Sequence, residues 1–436
     1  MDKFTSMLEE KLMPIAAKIA NQRHLAAIKD GIIVTVPFII AGSVFLILAN
    51  LPITAVSEFY KTESGAVLQK WLSYPVAVTF DLVAVITCLA VAYRLSESYK
   101  LDGISGALLA LVSFLLVTPF LITFKHEKFG ELTTSGIPTG LMGSAGLFVA
   151  IIMALISTEI FNFIVKKDMV IKMPDMVPPA VSKSFAALIP AFFIITISLL
   201  IRIGFEVTPF KSIHNVVSSL LTKPLTAIGG SYFGMMTITT LIHLLWTCGL
   251  HGANITFGIV DPALYVLMDQ NRQAFEVGQA LPNVVTKQFF DVFQSMGGSG
   301  TTFSLAVMLL LLSKSKQLKE IGKLAIGPGL FNINEPILFG LPIVMNPLLI
   351  IPFILAPLVT VSVTYWAMKL GFVARPTGIA IPWTTPPIIS GYLVTGGKLS
   401  GAVIQLVNFF ITGIIYYPFF KMWDHKKLAE ESGETV

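Results

Sequence analysis

The chain has 436 residues, of which 54% are hydrophobic and only 13% are charged, and its mean hydropathy is +0.79. A soluble domain carries about a quarter charged residues, so this composition excludes an ordinary soluble protein. A membrane-spanning helix needs about 20 apolar residues, which leaves room for about ten in this chain. We therefore expect an all-α polytopic membrane protein of about ten transmembrane helices, with re-entrant hairpins and surface amphipathic helices.

The net charge of +5 does not indicate nucleic-acid binding, because the basic residues lie in short connectors between apolar segments. In such connectors they set membrane topology. The two cysteines, Cys88 and Cys248, both fall inside apolar segments, which is unlike a disulfide framework or a metal site. The charged N-terminus lacks the apolar core of a cleavable signal peptide.

The first half of the chain consists of a basic start followed by clean apolar segments. Residues 1–30 predict an amphipathic helix on the cytoplasmic surface, with the N-terminus in the cytoplasm. Residues 31–207 predict an N-terminal transmembrane domain. Its expected spans are about Gly31–Leu51, Pro75–Tyr93, Gly106–Phe124, Gly140–Val165 and Phe185–Ile203.

The second half is more polar. Residues 208–228 predict an amphipathic linker, residues 229–423 a C-terminal transmembrane domain with re-entrant segments, and residues 424–436 a cytoplasmic tail. Glycines between Asn283 and Phe303 indicate a hairpin that enters the membrane and turns. The other expected spans are about Tyr232–Leu250, Phe303–Leu312, Met345–Met368 and Ala402–Phe420.

The stretch from Gly327 to Gly340 places one carboxylate, that of Glu335, inside apolar sequence. A charge at membrane depth costs roughly 3 kcal/mol or more. Pro328 and Pro336 each remove a hydrogen-bond donor, and Pro336 disfavours helical angles at the residue before it. We expect a broken or re-entrant segment that presents Glu335 to a polar substrate. The alternative is a loop outside the membrane in which Glu335 caps a helix.

Further hydrogen-bonding and aromatic residues lie in the broken parts of the second half, and rings and amides of this kind bind sugars. Each has a structural alternative: an interfacial belt for the tryptophans, helix packing for the histidine, and turn formation for the asparagines and the serine. With Glu335, the predicted binding group comprises Trp246, His251, Asn254, Ser299, Asn332, Asn334 and Trp383.

Several enzyme signatures are missing from the sequence. The Gly-Lys pairs lack the rest of a phosphate-binding loop, the glycines near Ser299 do not form a dinucleotide fingerprint, and no His-Glu-x-x-His motif exists. We therefore expect no cofactor and no metal.

Two motifs carry a resemblance to a known family. Gly-Leu-His-Gly-Ala-Asn at 249–254 and Asn-Ile-Asn-Glu-Pro at 332–336 resemble the enzyme IIC permeases of the bacterial phosphotransferase system, in the lactose/cellobiose/diacetylchitobiose branch. The resemblance covers the whole chain. It implies that His251 and Glu335 act at the 6-hydroxyl of the sugar, that the first half forms a homodimer, and that the sugar site in the second half moves between the two faces.

The resemblance also implies the reaction. A β-linked disaccharide, cellobiose or diacetylchitobiose, is imported and phosphorylated by a phosphocysteine on a separate IIB component. The protein is then a multi-pass protein of the bacterial cytoplasmic membrane with both termini in the cytoplasm. The alternatives are an ion- or proton-coupled secondary sugar transporter and a non-transporting sugar sensor or structural membrane protein. Glu335 stands nearly alone among acidic residues in apolar sequence, with Asp81 and Asp291, which disfavours ion coupling.

Overall fold

The computed structural model describes residues 22–51, 54–126, 129–174, 176–343 and 346–432, together with Pro14 and Lys18. The predicted N-terminal amphipathic helix of residues 1–30 lies mostly outside this range. The elements of the first half are α1 (Arg23–Ala49), α2 (Thr54–Tyr60), α3 (Glu63–Phe80), α4 (Val83–Ser98), α5 (Gly103–Val117), β1 (Leu121–His126), β2 (Gly130–Ser135), α6 (Thr139–Met142), a 3₁₀ turn (Ser144–Gly146), α7 (Leu147–Lys166), α8 (Pro179–Ala186) and α9 (Leu188–Glu206).

The second half is also helical but is interrupted more often. Two π-helical turns, at Ser218–Thr222 and Phe290–Gln294, interrupt its helices. The helices are α10 (Ile213–Val217), α11 (Lys223–Gly229), α12 (Tyr232–Thr247), α13 (Gly252–Glu276), α14 (Lys287–Phe289), α15 (Phe303–Leu312), α16 (Lys316–Leu330), α17 (Glu335–Gly340), α18 (Pro347–Lys369), α19 (Ile389–Val394) and α20 (Leu399–Ser432).

The long apolar helices confirm the membrane-spanning fold class. Within the described ranges, six helices are long and apolar enough to cross a bilayer, and a seventh span is possible if α10–α11 and α12, bent by 78°, are counted together. Two shorter apolar helices, α5 and α15, accompany them. The six are Arg23–Ala49, Glu63–Ser98, Ser144–Lys166, Leu188–Glu206, Leu348–Lys369 and Leu399–Ser432.

Several predicted boundaries in the first half were wrong. The second span, expected to begin at about Pro75, is helical from Glu63 onwards. This long helical segment is broken at Asp81–Leu82. The third span ends at Val117 rather than Phe124, because Thr118 precedes a proline and takes an extended conformation. The following residues form an antiparallel β-hairpin, Leu121–His126 paired with Gly130–Ser135, which the apolar count could not distinguish from a helix end.

The polar sequence 261–279 lies largely within the continuous helix α13. One local expectation in the second half was also wrong. Pro328 lies inside α16, and Glu335 is the first residue of α17 instead of being held out of helical geometry. The chain is nevertheless broken between these two helices, at Phe331–Asn334, as the sequence predicted.

The halves share a hydrophobic core, and a buried arginine joins them. Arg272 of α13 is only 2% exposed. Its guanidinium contacts Asp269 (Nε–Oδ1, 2.7 Å) and Glu276 (Nη1–Oε1, 2.9 Å) on the same helix. It also reaches Asp81 of the first half (Nη2–Oδ1, 2.6 Å), at the break between α3 and α4. Asp269 in turn accepts a hydrogen bond from the Ser144 hydroxyl. This ion-pair network fixes α13 against the first half.

We predict that Arg272→Met destabilises the protein by about 3–5 kcal/mol, because the buried carboxylate of Asp269 loses its charge partner. Lys323→Met is the control: its exposed pair with Glu320 contributes at most about 1 kcal/mol. Thermal unfolding of both variants in detergent measures the difference. Equal unfolding midpoints for the two variants would contradict a stabilising role for the network.

Candidate functional site

The first part of the site is the break between α12 and α13. Helix α12 ends at Thr247, and Gly249, with φ of +76°, turns the chain. His251 then caps α13: its Nδ1 accepts the backbone N–H of Asn254 at 3.2 Å. The rings of His251 and Trp246 lie 4.5 Å apart, centroid to centroid. The Asn254 side chain is exposed beside them.

The second part of the site is the break between α16 and α17. Glu335 begins α17, and its side chain is exposed on the protein surface. The Glu335 carboxylate interacts electrostatically with the His251 imidazole. The two segments that carry the family motifs, far apart in sequence, are therefore brought together.

A cavity of about 250 Å³ lies beside His251, and residues of both halves of the protein line it. One wall is the start of α13 and the two residues before it, and the other wall is the start of α1. The sequence analysis did not connect α1 with the site, since it placed the first membrane span at Gly31. The lining residues are Leu25, Ala26, Lys29, Leu250, His251, Asn254, Ile255 and Gly258.

Trp246 contributes a ring and a donor to this region. Its indole is partly buried, and its Nε1 is buried without an acceptor among the described residues. A buried N–H without a partner costs about 1–3 kcal/mol. Trp246 therefore places a buried donor beside His251 that none of the described residues satisfies.

The two asparagines of the second motif hold neighbouring loops together. Asn332 accepts the Gly297 N–H (2.9 Å) and donates to the carbonyls of Trp383 (2.6 Å) and Thr385 (3.1 Å). Its φ of +63° is a left-handed conformation that asparagine tolerates. Both amide hydrogens and one oxygen lone pair of this buried side chain are thus occupied by backbone, as the turn-forming alternative expects.

Asn334 also holds a neighbouring loop in place. Its Nδ2 donates to the Ser299 carbonyl (2.6 Å) and to the Thr302 hydroxyl (3.0 Å). Gly298 packs directly on this amide: a Cβ there would lie 2.4 Å from Asn334 Cγ, and the φ of Gly298 is +89°. Only glycine fits this turn. Ser299 meets Asn334 through its backbone carbonyl, so the structure gives its hydroxyl no such role.

Trp383 lies on the loop before α19, and 54% of its surface is exposed. The loop is positioned from behind by Gln405 of α20, whose Oε1 accepts the N–H groups of Ile388 (2.6 Å) and Gly391 (2.9 Å). Ile388 has φ of +74°, an outlier for a β-branched residue, and such strain persists only where the surroundings impose it. Gln405 was missed by the sequence analysis, because nothing in its apolar helix indicated a partner.

His243 is a second residue that the sequence analysis missed. It is fully buried, its Nδ1 lies 2.7 Å from the Thr239 carbonyl, and its Nε2 lies 3.0 Å from the Gly300 nitrogen. The carbonyl must accept and the N–H must donate, so the ring is neutral with its proton on Nδ1. Tyr416 donates to the Gly300 carbonyl at 2.8 Å. A lone histidine in the apolar span of α12 was the available signal.

We predict that Asn332→Ala lowers stability by at least about 1–3 kcal/mol, because the Gly297 N–H and two carbonyls lose their partner. Alanine also resists the left-handed φ that this position requires. Asn332→Gly keeps the backbone conformation and removes only the hydrogen bonds, so it should be less destabilising than alanine. Thermal unfolding in detergent compares them; a wild-type midpoint for Asn332→Ala would remove this side chain from the loop structure.

Comparison with known proteins identifies the family. Residues 29–357 match the family described as "Phosphotransferase system, EIIC". The chain is 52% identical to the lichenan permease IIC component of Bacillus subtilis, over 99% of this chain and 96% of that one. It is also 52% identical to the cellobiose-specific EIIC component of Geobacillus stearothermophilus, over 100% of this chain and 98% of that one.

A solved structure agrees with these relatives. The crystal structure of the transporter ChbC, the IIC component of the N,N'-diacetylchitobiose-specific phosphotransferase system, superposes with a TM-score of 0.96 at 52% identity. The match covers 98% of this chain and 100% of that one. With the spans described above, these similarities establish a multi-pass membrane protein. The chain belongs to the EIIC family of the phosphotransferase system.

Proposed function

We propose that this protein imports a β-linked disaccharide, cellobiose or N,N'-diacetylchitobiose, which is phosphorylated at its 6-hydroxyl by the phosphocysteine of a partner IIB component. The observation that supports the proposal is the approach of the two family motifs, which brings the Glu335 carboxylate within electrostatic range of the His251 imidazole. The relatives support the sugar class, since their names specify lichenan, cellobiose and diacetylchitobiose.

The polar groups at the site are complementary to a hydroxyl. Because Nδ1 of His251 accepts the Asn254 N–H, a neutral imidazole carries its proton on Nε2 and can donate to a hydroxyl oxygen. The Glu335 carboxylate can accept the hydroxyl proton. A hydroxyl held by this pair loses its proton to Glu335 as its oxygen bonds to phosphorus. The two residues therefore have different functions, His251 as donor and Glu335 as base.

Trp246 supplies the remaining interactions near this pair. The face of its ring can pack against the C–H groups of a sugar, and its unpartnered Nε1 can donate to a second hydroxyl. Asn254 and Trp383 are exposed close to the two breaks and are proposed to contact the sugar. Asn332, Asn334 and Ser299 are proposed to act through the loops that they form.

The proposed organisation keeps two transmembrane domains, residues 31–207 and 229–423, joined by the linker 208–228, with both termini in the cytoplasm. We propose that the first domain forms a homodimer. Helix α9 supports this, because it is the least covered of the candidate spans, with Phe192 and Leu200 among its exposed apolar side chains. An exposed apolar helix face buries surface against lipid or a second copy.

The alternative of an ion- or proton-coupled transporter is not favoured. Coupling would use carboxylates that face a water-filled path at membrane depth. Asp81 is bound to Arg272, and Asp291 to Lys287. Glu335 is then the one of these three carboxylates without an ion-pair partner within the described residues, and a hydroxyl-bearing substrate suits it.

The transport assay tests the function. In vesicles containing the purified protein, labelled cellobiose should accumulate only as its phosphate, and only when phosphorylated IIB is enclosed. The physical reason is that import is coupled to phosphoryl transfer at the site. Vesicles with unphosphorylated IIB serve as the control and should stay near the level of empty vesicles. Accumulation of free sugar driven by a sodium or proton gradient alone would contradict the proposal.

A further inference from the structure

The proposed reaction brings a strongly anionic group to a site that already contains a carboxylate. A phosphoryl group on oxygen carries about −1.5 to −2 charges near neutral pH. Glu335 lies within electrostatic reach of His251, so the incoming group would meet repulsion unless a cation is close by. Among the described residues that line the cavity beside His251, Lys29 alone carries a positive charge.

Lys29 is held in place by its packing. It belongs to α1 in the first half, and its stem lies against Gly258 of α13: a Cβ on that glycine would be 3.2 Å from Lys29 Cβ. Its side chain is one-third exposed, and its ammonium interacts electrostatically with His251. The nearest carboxylate is that of its neighbour Asp30, 3.2 Å from Nζ. An exposed pair of this kind contributes at most about 1 kcal/mol, so the ammonium can exchange Asp30 for a better anion.

We propose that Lys29 forms a phosphoryl subsite with His251, at the seam between the two halves, and that this subsite binds the phosphate of the phosphorylated sugar. This inference rests on the proposed function and adds a residue from the first half to it. In the transfer step the 6-hydroxyl oxygen bonds to phosphorus while the S–P bond of the phosphocysteine breaks. The electron pair leaves with the thiolate sulfur, the hydroxyl proton passes to Glu335, and Lys29 offsets the charge on the phosphoryl oxygens.

A free sugar carries no charge, so the subsite should discriminate between substrate and product. Lys29→Met retains an unbranched stem against Gly258 and removes the ammonium. Lys29→Arg keeps the charge. Lys323→Met is the matched control, because it removes one ammonium that does not line the cavity. The measured quantity is the Kd of each purified protein for cellobiose and for cellobiose 6-phosphate.

We expect Lys29→Met to weaken binding of the phosphorylated sugar roughly 10- to 100-fold, the size of a lost hydrogen bond to a charged group. Its affinity for the free sugar should stay within about twofold of wild type, which also demonstrates that the variant is folded. Lys29→Arg should retain most of the phosphate preference, and Lys323→Met all of it. Added salt should weaken binding of the phosphorylated sugar to wild type, Lys29→Arg and Lys323→Met, and should have a smaller effect on Lys29→Met.

Failure of the Lys29 subsite and failure of the proposed function give different results. If wild type binds cellobiose and its phosphate with a ratio that Lys29→Met leaves unchanged, or binds no phosphorylated sugar, the subsite is overturned while the proposed function stands. If wild type binds neither cellobiose nor N,N'-diacetylchitobiose, the proposed function itself fails. A Lys323→Met variant with the same loss as Lys29→Met would mean that the effect is a change in overall charge, and it would also overturn the subsite.

Discussion

The whole second half depends on how non-helical backbone is satisfied inside apolar surroundings. Where water is scarce, each free N–H or carbonyl costs several kcal/mol, so a chain break must be matched by protein partners. Here the breaks satisfy one another. Asn332 bridges the glycine turn at Gly297 and the loop at Trp383, and His243 binds the far side of the same turn at Gly300. Three irregular segments thereby become one rigid unit.

These ties leave other polar groups for the proposed ligand. The Nδ2 groups of Asn332 and Asn334 are bonded to the loops, whereas Trp246 Nε1 has no partner and only Nδ1 of His251 is bonded to the backbone, among the described residues. In the proposed site, the scaffold therefore holds the binding groups in place before the sugar binds. The second wall of the cavity belongs to α1, which can approach α13 closely because Gly258 of α13 has no side chain. Relative movement of the two halves would therefore alter the site.

The sequence predicted the fold class and the existence of the broken segments, because apolar composition, proline and a lone Glu335 are local signals. The prediction that Glu335 and His251 act as a pair came from the family resemblance, since no spacing rule connects residues so far apart. The roles of Asn332 and Asn334 as loop ties, and of His243 and Gln405 behind them, depend on tertiary hydrogen bonds that no local pattern records. The hairpin after Thr118 was missed because its first strand, Leu121–His126, continues the apolar run of the preceding helix.

The central claim is that Glu335 contacts the 6-hydroxyl of the sugar, and a double-mutant cycle tests it most directly. Binding of cellobiose and of its analogue lacking that hydroxyl is measured for wild type and for Glu335→Gln, both verified as folded. The account predicts that wild type loses roughly 10- to 100-fold in affinity when the hydroxyl is removed from the sugar. The affinity of Glu335→Gln should change little on the same removal, which corresponds to a coupling free energy of about 1.5–3 kcal/mol. Equal losses in both proteins would mean that the carboxylate and the hydroxyl do not meet, and would contradict the account.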